Sequence, residues 1–457
     1  MHFPLGKPIL VMLLLSAGSA GILLTRRPPP RSDLTVWVFA DSHARIYRSA
    51  TASDPSLIEQ YQQQTGLNAR VDLISQRALD MRLLSLFMSG ARGEQVPDLA
   101  EVEIGSVGKF FRPPASEVGF LPLNTFLKKS GNYDRIVKSR FAPWTKNGVI
   151  FGVPEDLHPV TITFRKDLFE QAGIDLPACK TWDAFHEACL RFQNYWRTHG
   201  FPRRMAIELP RASANHLHML LLQRHVNLLD DANRVYMTDP RVVETVVFYA
   251  QMAAGQKRIG ADSSSGAGLW TRDLARGELC AFLTPDWRLD DIREYGGELQ
   301  GKLAMMPLPV FAQGDARTST WGGTMIGIPR NCRDPEKSWK LLEFLLFSPA
   351  GFQARRRTTN IIPPVMDQWA DKSFDAPEAL FGGQKVSRLY IDLAGEIPPQ
   401  YVTPFSPVAA AHLSIVMSRA IHYLEEQGSQ GLRQACDAWL AESQHTLEKQ
   451  IAFGAFE

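Results

Sequence analysis

The chain has 457 residues, more than one hydrophobic core usually serves, so two lobes are the default expectation. Hydrophobic residues make up 45% and charged residues 21%, the proportions of a folded globular protein, which exclude an intrinsically disordered chain. With 50 Lys plus Arg against 48 Asp plus Glu, the formal net charge of +2 supplies no broad field for a nucleic acid or an acidic membrane surface.

In chain order, Lys7 precedes an uncharged apolar run, residues 8–24, of marginal spanning length. It reads as an export signal or a membrane anchor. Gly18 and Ala20 around Ser19 fit cleavage after Ala20, but the product would begin with the apolar Gly21-Ile22-Leu23-Leu24, which favours an uncleaved anchor. Arg26, Arg27 and Arg31 lie beyond the run in a Pro-rich spacer, against the positive-inside rule for an exported body. Of the five cysteines, Cys179, Cys189, Cys280, Cys332 and Cys436, none lies near the signal to accept a lipid and none forms a Cys-x-x-Cys. Neither a disulfide framework nor structural zinc is expected, and at least three of the five read as small buried apolar residues.

After the spacer, Leu34 to Phe39 is an apolar run of strand length, with Trp37 read as core. Asp54-Pro55 opens a helix that runs to Gly66, a strand follows near Ala69 to Ile74, and Gln76 begins a helix with Leu79, Leu83, Leu86 and Phe87 on one face. Pro97 to Glu103 is a third strand, and this alternation implies parallel pairing in an α/β lobe. The segment Glu155-Asp156-Leu157-His158 then places charge and imidazole directly before the β-branched run Val160 to Phe164. Such polarity fits either a surface loop or a crossing between two bodies where something polar binds.

The middle of the chain is more helical. Thr181 starts a helix whose Trp182, Phe185, Cys189, Phe192 and Trp196 form a core-facing stripe, and further helices fit Asn215 to Arg224 and Pro240 to Ala254. SSSGAG at 263–268 is a loop. Strands return at Leu279–Leu283, Lys302–Met306 and Thr324–Ile328, and a helical region begins at Pro335. His216 and His218, two apart on a helix, face different directions and form no metal pair, and Arg355-Arg356-Arg357 reads as a solvated helix face.

The ordered set FGVPEDLHPVTITFRKDLFEQAGI, KTWDAF, LARGELCAFLTPDW, KLAMMPLP and WGGTMIGIPRNCRDPEKSWKLLEFL resembles the family 1 extracellular solute-binding proteins, the maltose-binding-protein-like components of ABC sugar importers. The resemblance spans nearly the whole chain after about Arg31 and implies an α/β, two-lobed periplasmic-binding-protein-like fold of type II, with a ligand cleft between lobes joined by crossing hinge strands. It places residues 33–158 and 285–325 in the first lobe and 159–284 and 326–457 in the second, after a signal or anchor over 1–32. Asp156 and His158 then stand at the first crossing, with a return crossing near Phe282 to Asp286 and a third near Thr324 to Ile328.

A pyranose presents hydroxyls that donate and accept and an apolar C–H face, so it calls for carboxylates, amides, imidazoles and aromatic rings. At the positions matching the family these are Asp41, His43, Glu103, Ser106, Asp156, His158, Asp286, Trp287, Trp321, Gly322 and Gly323; Trp270, Tyr401 and Phe405 are second-lobe candidates by type and position only. Asp41 equally fits the end of a strand and Glu101 a solvent-facing position. The implied partners are a sugar or oligosaccharide and ABC permease subunits, for a monomer on the outer face of the cytoplasmic membrane; no cofactor, metal or nucleic acid is expected. Capture by hinge closure is one reading. A glycoside hydrolase pairing Asp156 with Glu103 or Asp286 is the other, and the resemblance favours capture, a non-enzymatic role.

Overall fold

A computed structural model describes residues 6–25, 32–49, 51, 54–264 and 269–454. The Pro-rich spacer and the tip of the 263–268 loop therefore lie outside the described residues. Gly6–Thr25 forms a helix in which Ile9 to Leu15 carry exposed apolar side chains. Among the described residues, no helix is long and apolar enough to cross a membrane.

Two sheets organise the rest. The strands of the first are β1 (Leu34–Val38), β2 (Ala69–Leu73), β3 (Leu99–Glu103) and β4 (Val153–Pro154); those of the second are β5 (Val160–Arg165), β6 (Ala281–Pro285) and β7 (Leu303–Met306). The last strand, β8 (Thr324–Gly327), returns to the first sheet, whose order is β2-β1-β3-β8-β4, while the second is β6-β5-β7. β1 pairs in parallel with β2 and β3, as the strand–helix alternation predicts. β8 runs antiparallel to β3 and β4, because it enters from the other lobe rather than through a crossover helix.

Each sheet buries both faces. On the first, Leu34, Val36 and Val38 meet one apolar cluster with the helices Leu57–Thr65 and Pro335–Phe347, while Trp37 and Phe39 pack on the cluster behind it. On the second, Val160, Ile162 and Phe164 of the central β5 face one cluster, and Phe282, Leu303 and Met305 face the other. The Trp182–Thr198 stripe is buried as its spacing requires, with Thr181 capping the helix by accepting from Ala184 N–H, a cap that contributes about 1 kcal/mol. The helix expected from Asp54 instead starts at Leu57: Ser56 and Glu59 form a reciprocal capping box, which satisfies more end groups than Asp54 would. Four of the five cysteines are buried.

The lobe boundaries differ from the sequence reading. Residues 285–325 were expected in the first lobe, yet β7 pairs with β5 of the second sheet, and Leu289 and Ile292 join the second lobe's core. Conversely, β8 and the helices Pro335–Phe347 and Pro349–Thr358 pack in the first lobe rather than with 326–457 in the second. The first crossing, 155–159 between β4 and β5, is as expected. The return crossing is not at Phe282 to Asp286. It runs at 318–324, beside the first, with Pro159 bridged to Thr320 and Val160 N–H donating to Ser319 O. The crossing expected third, near Thr324 to Ile328, is the end of this return, and the third lies at 359–365, where Leu157 N–H donates to Ile362 O.

Candidate functional site

The crossings hold a fully buried charge cluster. Arg140 donates to Asp156 Oδ1 at 2.8 Å, to the Asp156 carbonyl at 3.1 Å and to Thr320 Oγ1 at 2.9 Å. Asp156 Oδ2 accepts from Thr324 N–H at 2.8 Å and lies 3.1 Å from His158 Nε2. The other imidazole nitrogen, Nδ1, is 2.6 Å from Asp286 Oδ1, and Asp286 Oδ2 accepts from Ile362 N–H at 2.6 Å. One imidazole thus ties together the first crossing, the end of β6 and the third crossing.

Burial alone would lower the pKa of His158, but Asp156 and Asp286 outweigh it and push it up to about 10. Burial would likewise raise Asp156, yet His158 and Arg140 hold it well below the usual carboxylate range. His158 also has φ 50°, an uncommon conformation for a residue with a side chain, consistent with a site that is over-determined by its neighbours.

Over this cluster lies a cavity of about 750 Å³, within the usual size range for small-molecule sites. The first lobe contributes Phe39, Ser42 and His43 after β1, Gln76, and Glu103 with Gly105 after β3. The second contributes Asn215, His218, Asn227, Gln400 and Tyr401, and Trp287, Trp321, Gly322 and Gly323 cover the hinge. Trp287 Nε1 donates to the Trp321 carbonyl at 3.0 Å, and the two half-buried rings meet edge to face at 5.2 Å. Behind them, Arg288 lies 5.3 Å from the Trp321 ring and 4.1 Å from Trp270, and pairs with Glu208 at 2.8 Å. The rings are therefore preset rather than free to rotate. Gly322, at φ 96°, leaves room where a Cβ would come within 3.3 Å of His158, and a Cβ on Gly323 would lie 2.6 Å from Arg140.

Of the residues expected from sequence, His43, Glu103, His158, Trp287, Trp321, Gly322 and Gly323 line the cavity. His158 does so with both nitrogens engaged by carboxylates, so it has no free polar atom to offer a ligand. Glu103 spends Oε2 on Gly105 N–H at 2.7 Å and Gln76 Nε2 at 3.1 Å. Four expectations are corrected. Asp41 begins a helix and faces solvent beside Arg45. Ser106 turns away to donate to Asp80 at 2.5 Å. Asp156 and Asp286 are buried braces beneath the cavity, because each must neutralise His158.

The hydrolase pairing loses its parts for the same reason. Asp156, common to both pairings, has its oxygens engaged by Arg140, Thr324 N–H and His158 and no access to a glycosidic bond, so Glu103, whose pKa burial raises and which lines the cavity, is left without a partner carboxylate. Of the second-lobe candidates, Tyr401 lines the cavity, Trp270 is core, and Phe405 packs against the second lobe's core. Sequence reasoning missed Arg140, Asn215, His218, Asn227 and Gln400. The opposed directions of His216 and His218 were a usable signal: His216 pairs with Glu208 at 3.2 Å, and His218 faces the cleft, where burial lowers its pKa to about 4 and keeps it neutral. The triple-arginine segment is not a solvated face either. Arg355 is buried and Arg356 sits 4.2 Å over Phe374, leaving Arg357 exposed.

The lobes also meet away from the hinge. Asn227 ties Pro399 and Tyr401 to the second lobe, and the next residue, Val402, packs into a first-lobe cluster. A Cβ at Gly108 would lie 2.4 Å from the Thr403 carbonyl, so the lobes touch there with no room to spare.

The comparisons agree with this architecture. The chain is 24% identical over 329 residues to the arabinooligosaccharide-binding protein of Bacillus subtilis, covering 70% of this chain and 72% of that protein. It is 21% identical over 391 residues to the protein of the same name from Halalkalibacterium halodurans, covering 84% and 83%. Its fold matches the sugar-binding protein MalE from Xanthomonas citri with a TM-score of 0.69 over 91% of this chain and 99% of that one, at 18% identity. The family model for bacterial extracellular solute-binding proteins matches residues 87–382, and with two α/β lobes around a lined cleft, the chain belongs to that family of extracytoplasmic, non-enzymatic binding proteins.

Proposed function

We propose that the protein captures an oligosaccharide in the interlobe cleft and presents it, by hinge closure, to the permease of an ABC importer. The observation that carries this reading is the lining itself: the preset Trp287–Trp321 pair beside amides, imidazole and carboxylate drawn from both lobes. Aromatic faces match the C–H face of a sugar ring, and Glu103, Asn215, His218, Asn227 and Gln400 supply acceptors and donors for its hydroxyls. A ligand that touches both lobes gains contacts only on closure, and so biases the hinge. Micromolar affinity corresponds to about 8 kcal/mol, within reach of two rings and several hydrogen bonds.

The two arabinooligosaccharide-binding relatives make arabinose-containing oligomers the first ligands to try. Titration with arabino-oligosaccharides and length-matched glucose and galactose oligomers, followed by Trp fluorescence, tests the reading. Saturable change with intact sugar is expected; no response to any of them, or new reducing ends at catalytic rates, overturns it. A tether belongs to the same reading: the exposed apolar Ile9 to Leu15 segment would hold the body at the outer membrane face. The full-length chain should sediment with membranes and a chain lacking residues 1–32 should not.

A further inference from the structure

Behind the first-lobe wall of the cleft, three chain segments bring an imidazole and two carboxylates together. His43 comes from the helix Asp41–Arg48, Glu101 from β3 and Glu155 from the residue after β4, with relative exposures of 5%, 0% and 1%. Each carboxylate spends one oxygen on the protein: Glu101 Oε2 accepts from Phe39 N–H at 3.0 Å, and Glu155 Oε1 accepts from the Tyr47 hydroxyl at 2.6 Å. The remaining atoms, Glu101 Oε1, Glu155 Oε2 and His43 Nδ1, make no aligned hydrogen bond among the described residues. They nevertheless converge. Nδ1 lies 3.1 Å from Glu101 Oε1 and 3.7 Å from Glu155 Oε2, out of hydrogen-bond alignment with both.

We propose that His43 Nδ1, Glu101 Oε1 and Glu155 Oε2 form a binding site for a divalent transition metal, zinc foremost. Tetrahedral ligands about 2.0–2.1 Å from a zinc ion stand about 3.3 Å apart, and the two separations from Nδ1 bracket that value. One imidazole with two carboxylates is a nitrogen–oxygen set that suits zinc, whereas calcium and magnesium want six or more oxygens that a buried trio cannot offer. The hydrogen bonds from Phe39 N–H and Tyr47 orient the non-ligating oxygens, as outer-shell partners of metal sites do. A dication also offsets two carboxylates that would otherwise be buried at a cost of several kcal/mol each. Arg355, buried on the helix Pro349–Thr358, is a positive charge that also bears on the trio. Metal on Nδ1 fixes the imidazole proton on Nε2, which makes His43 a hydrogen-bond donor on the residue that lines the cleft.

This site stands apart from the sugar reading and is tested without sugar. The chelator-stripped full chain is titrated with ZnCl₂ by calorimetry and with CoCl₂ by visible absorption. One equivalent of zinc and a four-coordinate cobalt spectrum are expected, with Glu101→Gln and Glu155→Gln each weakening zinc at least tenfold. Zinc binding that is absent, or identical in the doubly substituted chain, overturns the proposal and leaves a proton on His43 as the neutralising charge. Should the glutamine variants fail to fold by circular dichroism, X-ray absorption of the zinc-loaded unmodified protein decides. A shell of one imidazole nitrogen and two carboxylate oxygens supports the site, and any shell without the imidazole sinks it.

Discussion

The hinge cluster and the His43 cluster contain the same ingredients, an imidazole between two buried carboxylates, yet they differ in how their polar atoms are spent. At the hinge, both nitrogens of His158 and all four oxygens of Asp156 and Asp286 have partners. At the wall, three converging atoms make no aligned hydrogen bond among the described residues, and Nδ1 of His43 faces the two carboxylate oxygens at 3.1 and 3.7 Å only as an ion pair. A buried polar group left unpaired costs more than a paired one contributes, so the first arrangement is a brace and the second is a receptor for a cation. Residue type alone does not separate the two; the hydrogen-bond inventory does.

The largest test of that contrast is stability. Asp286→Ala leaves the His158 imidazolium with one carboxylate and strands Ile362 N–H, and should cost ~3–5 kcal/mol in urea unfolding. Glu155→Gln keeps an acceptor for Tyr47 and removes a buried charge that no metal offsets, so in metal-free protein it should leave stability unchanged or raise it. Equal losses would erase the distinction. The hinge should also show its charge as a pH dependence. The pKa of His158 is raised from 6.5 to about 10 on folding, so its contribution is complete below pH 6.5 and is lost as pH rises through about 10. The slope in that window is at most ~1.4 kcal/mol per pH unit. His158→Asn, which suits the φ of 50°, should remove this alkaline slope; unfolding curves from pH 6 to 10 that are parallel for the two proteins would contradict the assignment.

Smaller effects separate brace from binding surface. Trp287→Ala should weaken oligosaccharide affinity more than tenfold, at least about 1.4 kcal/mol, while the urea midpoint moves little. A large midpoint shift with unchanged affinity would make Trp287 part of the brace. Gly108→Ala should weaken affinity about threefold without touching the cavity, because its Cβ would come within 2.4 Å of Thr403 O at the contact between the lobes. Small-angle scattering of the variant with saturating sugar checks this, and a profile as compact as the parent at the same affinity counts against it.

Much of this was visible in one dimension, for identifiable reasons. The Trp182–Trp196 stripe and β1 were legible because burial follows helix and strand periods, which are local. Trp287 and Trp321 were legible because turn-forming neighbours set them at lobe boundaries. Asp156 and Asp286 were located correctly near the hinge but misread as ligand contacts. Nothing local tells a carboxylate whether its partner is a hydroxyl or an imidazolium 128 residues away in sequence. The exchange of residues 285–325 and 326–358 between lobes failed likewise, since a short strand such as β8 carries no mark of which sheet it joins.

The sequence by itself determined the two-lobed α/β class, its family and several of the aromatic and polar side chains that line the cleft, because composition, periodicity and ordered motifs are properties of the chain as a string. Only the tertiary structure decided where the chain crosses, which acids brace His158, and that His43, Glu101 and Glu155 share one pocket. Those follow from packing between segments 50 to 180 residues apart, where the requirement that buried charges find partners is settled in space and not along the chain.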